Sequence, residues 1–555
     1  MNGNGTADKP GPPGGKPFGP GMGPPIQYPT GFKLYSIMTG LYLASFLTAL
    51  DRTVLVVAIP QITDHFNSID DIGWYGSAYL LTFCAFQLLF GKIYSFYNPK
   101  WVFLSAVLIF EIGSAICGAA PNSTALIIGR AIAGLGSSGI FGGSVIITFF
   151  TVPLHQRPIY TGIAGVIFAL ASSVGPLIGG GFTNNVSWRW CFYINLPVGA
   201  LTVVTILLFL NLPPARKAGT PLREQLLQMD PLGNLCLIPG IICLLLAIQW
   251  GGSTYAWSNG RIVALLVLAG VLLIAFVGVQ LWLQDKGTIP PRVMKQRSIA
   301  AGMAFTICVT AGFMSFNYYL PIWFQAIKNA SSFHSGVMML PTVISSGVAS
   351  LACGFIIHRV GYYTPFMIGG SVLMAIGAGL LTTFTPTTEH PKWIGYQVLW
   401  ALGCGMSMQQ ASLAAQTVLP KPDAPIGISL IFFSQSLGGS VFLAVDDSIY
   451  SNRLAAKLGS IPNLPQSALT NTGATNIRNL VAPQYLGRLL GGYNDALMDV
   501  FRVAVASSCA CVVAAAFMEW KNVRAAKAAG PGGPGGPGGP GGPGGPEGLR
   551  GGNKV

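Results

Sequence analysis

Seven ionisable side chains stand inside long apolar runs: Asp51, Arg52, Glu111, Arg130, Asp446, Asp447 and Arg502. A charge in hydrocarbon is costly, so such residues mark ion or substrate paths by default. At 1.5 Å per residue, Asp51 lies about 27 Å along a helix from Lys33, in the far half of its run. Arg130 enters its own run from that far end, which places carboxylate and guanidinium at comparable depth. The strength of such a pair depends on whether the carboxylate carries a proton. A proton added to Asp51 would release Arg130 or free the site for another ligand, the elementary step of proton-coupled exchange. The same pair could instead be a static lock between helices. Glu111, in Phe110-Glu111-Ile112-Gly113-Ser114, reads either as a proton carrier or as a neutral carboxyl satisfied by a neighbouring hydroxyl. Arg52 is expected to snorkel toward the interface, and Asp446 and Asp447 to mark the outer end of a run.

Other chemistries find little material. All ten cysteines except Cys191 lie in apolar runs and read as small hydrophobes, not as a disulfide framework. The five histidines form no close pair suited to a metal. No Gly-x-x-x-x-Gly-Lys-Ser/Thr loop occurs. Neither a cofactor nor a metal is expected, and no cluster of His, Cys or acids at one membrane face suggests an enzyme. Active transport by this chain must then draw on an ion gradient. One proton moving through 100 mV carries ~2.3 kcal/mol.

The elements that must position these residues follow from composition. Of 555 residues, 51% are hydrophobic and 9% charged, against about 25% charged in a soluble domain. Fourteen runs are long enough to cross a hydrocarbon core of about 30 Å: 34–60, 75–94, 101–120, 125–150, 159–183, 192–212, 233–251, 262–283, 298–323, 335–357, 363–385, 393–418, 425–447 and 498–518. They do not alternate as barrel strands would, so the expectation is an all-α polytopic membrane protein. The net charge of +14 is spread thinly between the runs rather than gathered on one face. That argues against nucleic acid and for a cationic membrane side.

Residues 1–32 form a Gly/Pro-rich leader without an apolar core, so no cleavable signal is expected. Residues 521–555 carry a Gly-Gly-Pro repeat from Gly530 to Pro546, which reads as a flexible tether. Lys and Arg are concentrated in the loops on the side of both tails, which predicts cytoplasmic termini. The acceptor triplets at Asn122, Asn185 and Asn329 then fall outside, whereas Asn4 falls inside. The stretch 448–497 becomes the one sizeable outer loop, with a short surface helix over 476–490.

The fifth run carries Gly162, Gly165, Ala169, Ser172, Gly175 and Gly179 at steps of three and four, one helix face open to close approach. Pro176 adds a bend by removing a backbone donor. With these residues a resemblance becomes specific. Arg130 with Gly134 and Gly136, and Gly175-Pro176-Leu177-Ile178-Gly179-Gly180, resemble the fourth- and fifth-span motifs of major facilitator superfamily antiporters. Leu50-Asp51-Arg52-Thr53 with Ala58-Ile59-Pro60 is similar to the first-span motif of drug:proton antiporters. Trp188-Arg189-Trp190 and Phe192-Tyr193-Ile194-Asn195-Leu196-Pro197 resemble the mark of the fourteen-spanner branch, fungal toxin and multidrug efflux pumps above all. The loop Gly91-Lys92-Ile93-Tyr94-Ser95-Phe96 departs from the family by lacking an acid, as does its counterpart with Gly354, His358, Arg359 and Gly361. The charge lock of the inner gate therefore lacks its acid.

The resemblance implies two six-helix bundles, 33–213 and 298–520, joined by a linker 214–297 with two extra spans, and rocking about a central site. It also implies that Gln87, Phe313, Phe316, Asn317, Tyr318, Gln409, Gln410 and Gln435 face the cavity. Each could equally be helix-packing glue; as a group, amides among aromatics suit large, uncharged, greasy molecules. The function expected is proton-driven export of an amphipathic compound, a toxin, secondary metabolite or drug. The transporter would be a monomer in a plasma or vacuolar membrane. An importer of the same fold, for siderophores or other solutes, is the alternative, with a non-transporting membrane enzyme or sensor behind it.

Overall fold

A chain in hydrocarbon has no water to satisfy its peptide groups, so each crossing segment must close its own hydrogen bonds as a helix. The computed structural model of the chain describes residues 28–66, 68, 71–212, 221, 225, 229–252, 255–458 and 483–524. Most of the leader, the Gly-Gly-Pro repeat and residues 459–482 of the expected outer loop lie outside the described residues, as do Asn4 and residues 476–482 of the surface helix expected over 476–490. The remainder of that stretch is a short turn at Pro483–Tyr485 and the start of the helix from Leu486.

The first six crossings are α1 (Phe32–Phe66), α2 (Ile72–Phe96), α3 (Pro99–Ala119), α4 (Ser123–Thr151), α5 (Arg157–Asn185) and α6 (Asn195–Phe209). Two linker helices follow, α7 (Pro231–Trp250) and α8 (Gly260–Leu283). The second set is α9 (Arg297–Ala326), α10 (Leu340–Val360), α11 (Thr364–Leu381), α12 (His390–Ser407), α13 (Gln410–Val418), α14 (Ala424–Leu458) and α15 (Leu486–Ala516). Among the described residues, thirteen helices are long and apolar enough to cross a membrane. The run 393–418 is the exception. It is two helices, α12 and α13, interrupted at Met408-Gln409, where two adjacent glutamines end the apolar stretch and Gly405 lies against the Ser346 backbone.

The last loop also differs from expectation. Helix α14 continues eleven residues beyond 447 to Leu458, and α15 begins at Leu486 rather than near 498. Asp446 is thereby moved from a wet helix end into the body of α14, where it is fully buried.

Bundle packing is tight because glycines replace side chains at the crossings. A Cβ on Gly113 or Gly136 would strike the backbone of the facing helix in the α3–α4 pair, and one on Gly377 would do so at Trp400. Two seams join the bundles near the face that carries the chain ends. In one, Gly91 of α2 abuts Ser429 and Pro425, and Ile428 and Phe432 of α14 join the N-terminal core. In the other, Gly162 of α5 meets Ser350, Gly354 of α10 meets Pro158, and His155 stacks on His358 with ring centroids 5.8 Å apart.

The linker is tied to that same face. Asp230, in the left-handed region at φ 55°, accepts from Gly233 N, Gln280 Nε2, and both the amide and hydroxyl of Thr288. Lys92, in the motif that lacks the family's acid and that the structure folds into the end of α2, donates to the carbonyls of Lys286 and Gly287. Arg292 bridges Asp285 at 2.7 Å and Asp423 at 2.9 Å.

Candidate functional site

Asp51 of α1 and Arg130 of α4 meet in the N-terminal bundle. Arg130 Nη1 lies 2.5 Å from Asp51 Oδ2, and both side chains are 1% exposed. The guanidinium also donates through Nε to the Tyr75 carbonyl at 3.0 Å and lies over the Tyr79 ring at 4.5 Å. Asn195 of α6 donates to the other Asp51 oxygen at 3.2 Å and reaches Ser114 Oγ at 3.0 Å. A buried pair is stable only when such extra bonds satisfy it, and removing one partner leaves an uncompensated charge. Glu111, one turn before Ser114 on α3, faces Gly199 of α6, with both carboxylate oxygens buried and unbonded.

The motif residues of α1 and α5 touch beside this pair. Thr53 Oγ1 bonds the Ala171 carbonyl at 3.3 Å. A Cβ on Gly175 would collide with Thr53, and one on Gly179 would stand 2.9 Å from the Val54 carbonyl. Gly180 is in ordinary reach of Val57, and Pro176 sits exposed within α5. Any movement of the Asp51 segment is therefore felt directly by α5.

Between the bundles lies a cavity of about 1150 Å³, its mouth included. The N-terminal bundle contributes hydroxyls, among them Tyr42, Ser45, Ser144, Thr148 and Ser172, together with Phe141 and Phe168. From the other bundle come Phe313, Asn317, Ser346, Gln409, Phe432 and Gln435. Apolar walls with a few convergent polar groups are the usual make-up of a small-molecule site.

The model of the Major Facilitator Superfamily matches residues 41–443. The chain belongs to that superfamily. The facilitator is 50% identical over 504 residues to the MFS-type efflux pump MFS1 of Arthroderma benhamiae, covering 90% of this chain and 94% of that protein. It is 49% identical over 498 residues to the efflux pump aflT of Aspergillus parasiticus, covering 89% and 97%. With the rubrofusarin-specific efflux pump aurT of Gibberella zeae it shares 46% over 498 residues, covering 90% and 91%. Among solved structures, the proton:xylose symporter XylE is 13% identical with a TM-score of 0.56, covering 89% of this chain and 99% of that one, a likeness of fold. This facilitator is thus a multi-pass membrane transporter of small molecules, not an enzyme.

The expected cavity residues divide into two groups. Phe313, Asn317, Gln409 and Gln435 line the cavity of the facilitator. Phe316 is instead packed between Trp400 and Phe501, with ring centroids 4.9 and 4.8 Å away. Gln410 bonds Cys353 Sγ at 3.4 Å, Tyr318 is exposed, and Gln87 is buried against Gly142 with neither amide atom bonded. The small-residue face of α5 is shared out along its length: Gly162 packs on α10, Gly165, Ala169 and Ser172 line the cavity, and Gly175 and Gly179 pack on α1.

Asn195 is the neighbour of the ion pair that reading by ionisable type missed, although it stands in the branch motif Phe192–Pro197. That motif delivers Asn195 to Asp51 and the Phe192 ring to within 6.0 Å of Arg130 Cζ. The hydroxyl lining also escaped notice. Its signal was Leu41, Tyr42 and Ser45, and then Phe141, Ser144, Val145 and Thr148, each at helical steps.

Arg52 does not reach for the interface. Its Cζ lies 4.1 Å from the Phe83 ring centroid and 5.3 Å from that of Tyr79, and its Nε is buried without a hydrogen-bond partner. Asp446 accepts from Ser315 Oγ at 2.5 Å, and its second oxygen has no partner. Asn122, Asn185 and Asn329 are exposed at ends of the array remote from the chain termini; Asn122 caps α4 through Ala125 N at 2.8 Å.

Proposed function

We propose that this facilitator is a proton-coupled efflux pump, which exports amphipathic organic compounds such as toxins, secondary metabolites or drugs. The observation that carries the reading is the buried Asp51–Arg130 pair seated against the Gly175-Pro176 face of α5. The efflux-pump relatives, at 46–50% identity, support the direction. A proton arriving at Asp51 removes the charge that holds Arg130, and Asn195, itself held by Ser114, remains to bond the neutral acid. The α1 segment bearing Thr53 then re-seats against α5, and the seams between bundles exchange closed and open ends. Glu111, one turn before Asn195's partner Ser114 on α3, is the second proton acceptor in this reading. The cavity holds cargo among Phe313, Asn317, Gln409 and Gln435. Both termini face the cytoplasm, the three exposed sequons face outward, and a single chain in the plasma membrane suffices.

Everted vesicles test this. Nile red, an uncharged planar dye, is offered outside with an acid interior, and uptake is followed by fluorescence. The expected result is uptake that ends when a protonophore is added and is absent from Asp51→Asn protein of equal abundance. Dye movement in the same direction as the proton would indicate an importer, and uptake indifferent to the protonophore would remove proton coupling.

A further inference from the structure

Arg52 is a cation without an anion. Its neighbour Asp51 is engaged by Arg130, and among the described residues no carboxylate pairs with Arg52. The rings it covers, Tyr79 and Phe83, are 0% and 3% exposed, so the guanidinium points into the protein and not to lipid. An arginine at membrane depth faces a bundle interior or a water-filled space, and there marks a path for something charged.

The helix geometry says which space. Ser45 lines the cavity from α1, and Arg52 is seven residues further on. Seven residues are two turns, so Arg52 shares the Ser45 face about 10.5 Å along the axis. Aromatic rings bridge the interval. Tyr79 stacks on Phe83 at 6.3 Å, Phe83 meets Phe141 at 6.1 Å, and Phe141 meets Phe432 at 4.7 Å and Phe168 at 6.4 Å. The last three line the cavity, with Phe313 opposite. The ring faces and edges of Phe141, Phe168, Phe313 and Phe432 receive a flat aromatic body, and Phe83 and Tyr79 lie buried behind them toward Arg52, which stands beyond the cavity lining. There stands a planar guanidinium with an unused buried donor, which matches a carboxylate or phenolate better than a lysine would.

We propose that the cavity recognises planar aromatic acids, with the ring system seated among Phe141, Phe168, Phe313 and Phe432 and the anionic group taken by Arg52. The proposal rests on the reading of the cavity as the cargo site, and it replaces the uncharged cargo expected from amides and aromatics alone. It makes Arg52 a specificity residue distinct from the Asp51–Arg130 couple one position away.

The test is equilibrium binding to the purified full chain in detergent, with no gradient, so its outcome is separate from that of the proton-exchange assay. The probes are anthraquinone-2-carboxylate and its carboxamide, which differ in charge but hardly in shape. The acid is expected to bind at least about tenfold more tightly than the amide, the scale of a charge-assisted hydrogen bond. Arg52→Gln should bring the acid-to-amide ratio to about one, and Arg52→Lys should keep part of the preference. Because the acid-to-amide ratio is taken within each protein, a general loss of folded material does not imitate the result. The proposal is overturned if the wild-type protein shows no preference for the acid, if it binds neither probe, or if Arg52→Gln keeps the preference.

Discussion

Each bundle buries one aspartate deep in a helix, and the two keep opposite company. Asp51 has a guanidinium at 2.5 Å and an amide donor on its other oxygen. Asp446 has one hydroxyl donor, Ser315, and a second oxygen with nothing bonded to it. Both surroundings leave some buried polar atoms unbonded. Near Asp51, Tyr79 bonds Ser137 at 2.6 Å and Asn195 bonds Ser114, while Arg52 Nε, Asn195 Oδ1 and both Glu111 oxygens have no partner. In the C-terminal bundle, Tyr319 Oη, Trp400 Nε1, Ser407 Oγ and the Gln416 amide are buried without partners. A protonation event at Asp51 breaks an ion pair and disturbs helices α1, α4 and α6 together. At Asp446 it changes one hydrogen bond. Under the proposed proton coupling, the difference favours the N-terminal bundle as the seat of the switch and the C-terminal bundle as the half it moves against.

Breaking one partner of the ion pair should have the largest effect. Arg130→Met leaves Asp51 buried and uncompensated, a loss of about 3–5 kcal/mol, and thermal melts of the purified protein should show it. Adding Asp51→Asn should recover most of that loss, because no charge is then left alone. Failure of the double variant to recover would mean that Arg130 acts by packing and not by charge.

Gly175→Val comes next. The new side chain overpacks the α1–α5 contact at Thr53, at about 1–3 kcal/mol, and should halt export more completely than it lowers the melting point. Thr53→Ala in the same chain should restore part of the export. Asn195→Ala is smaller: it leaves the 2.5 Å pair intact but removes a hydrogen bond to a charged group, worth about 1.5–3 kcal/mol at most. The expected readout is a several-fold fall in export rate with the protein still folded. Smallest is Asp446→Asn, which preserves the size of the side chain and an acceptor for Ser315 and should shift the melting temperature little. If Asp446→Asn removed uphill export as fully as Asp51→Asn, the contrast between the bundles would be lost.

Much of the N-terminal half was legible from residue types. Asp51 and Arg130 could be placed at one depth by counting helical rise, and the glycine face of α5 followed from its spacing. Helical periodicity fixes a face, however, and not the neighbour that face meets. Phe316 lies on the same helix as Phe313, yet steps of about 100° per residue turn it into its own bundle. Gln410 opens α13 directly after Gln409 in the break but bonds Cys353 instead of lining the cavity. Asp446 was misplaced because two acids in succession imitate a helix end, whereas only Asp446 is buried and Asp447 remains exposed. The interruption of the twelfth run was hidden for the converse reason: residues 393–418 are apolar enough on average, and the break arises from two adjacent glutamines and a close backbone approach at Gly405.

The central claim is that cargo leaves as a proton enters through Asp51. Purified protein in sealed liposomes, with pyranine trapped inside and a gradient of the uncharged dye Nile red as the sole driving force, measures this directly. The account predicts that dye running down its gradient pulls protons the opposite way in the wild-type protein, and that Asp51→Asn abolishes this proton movement. Dye flux with no proton movement, or protons travelling with the dye, would contradict it.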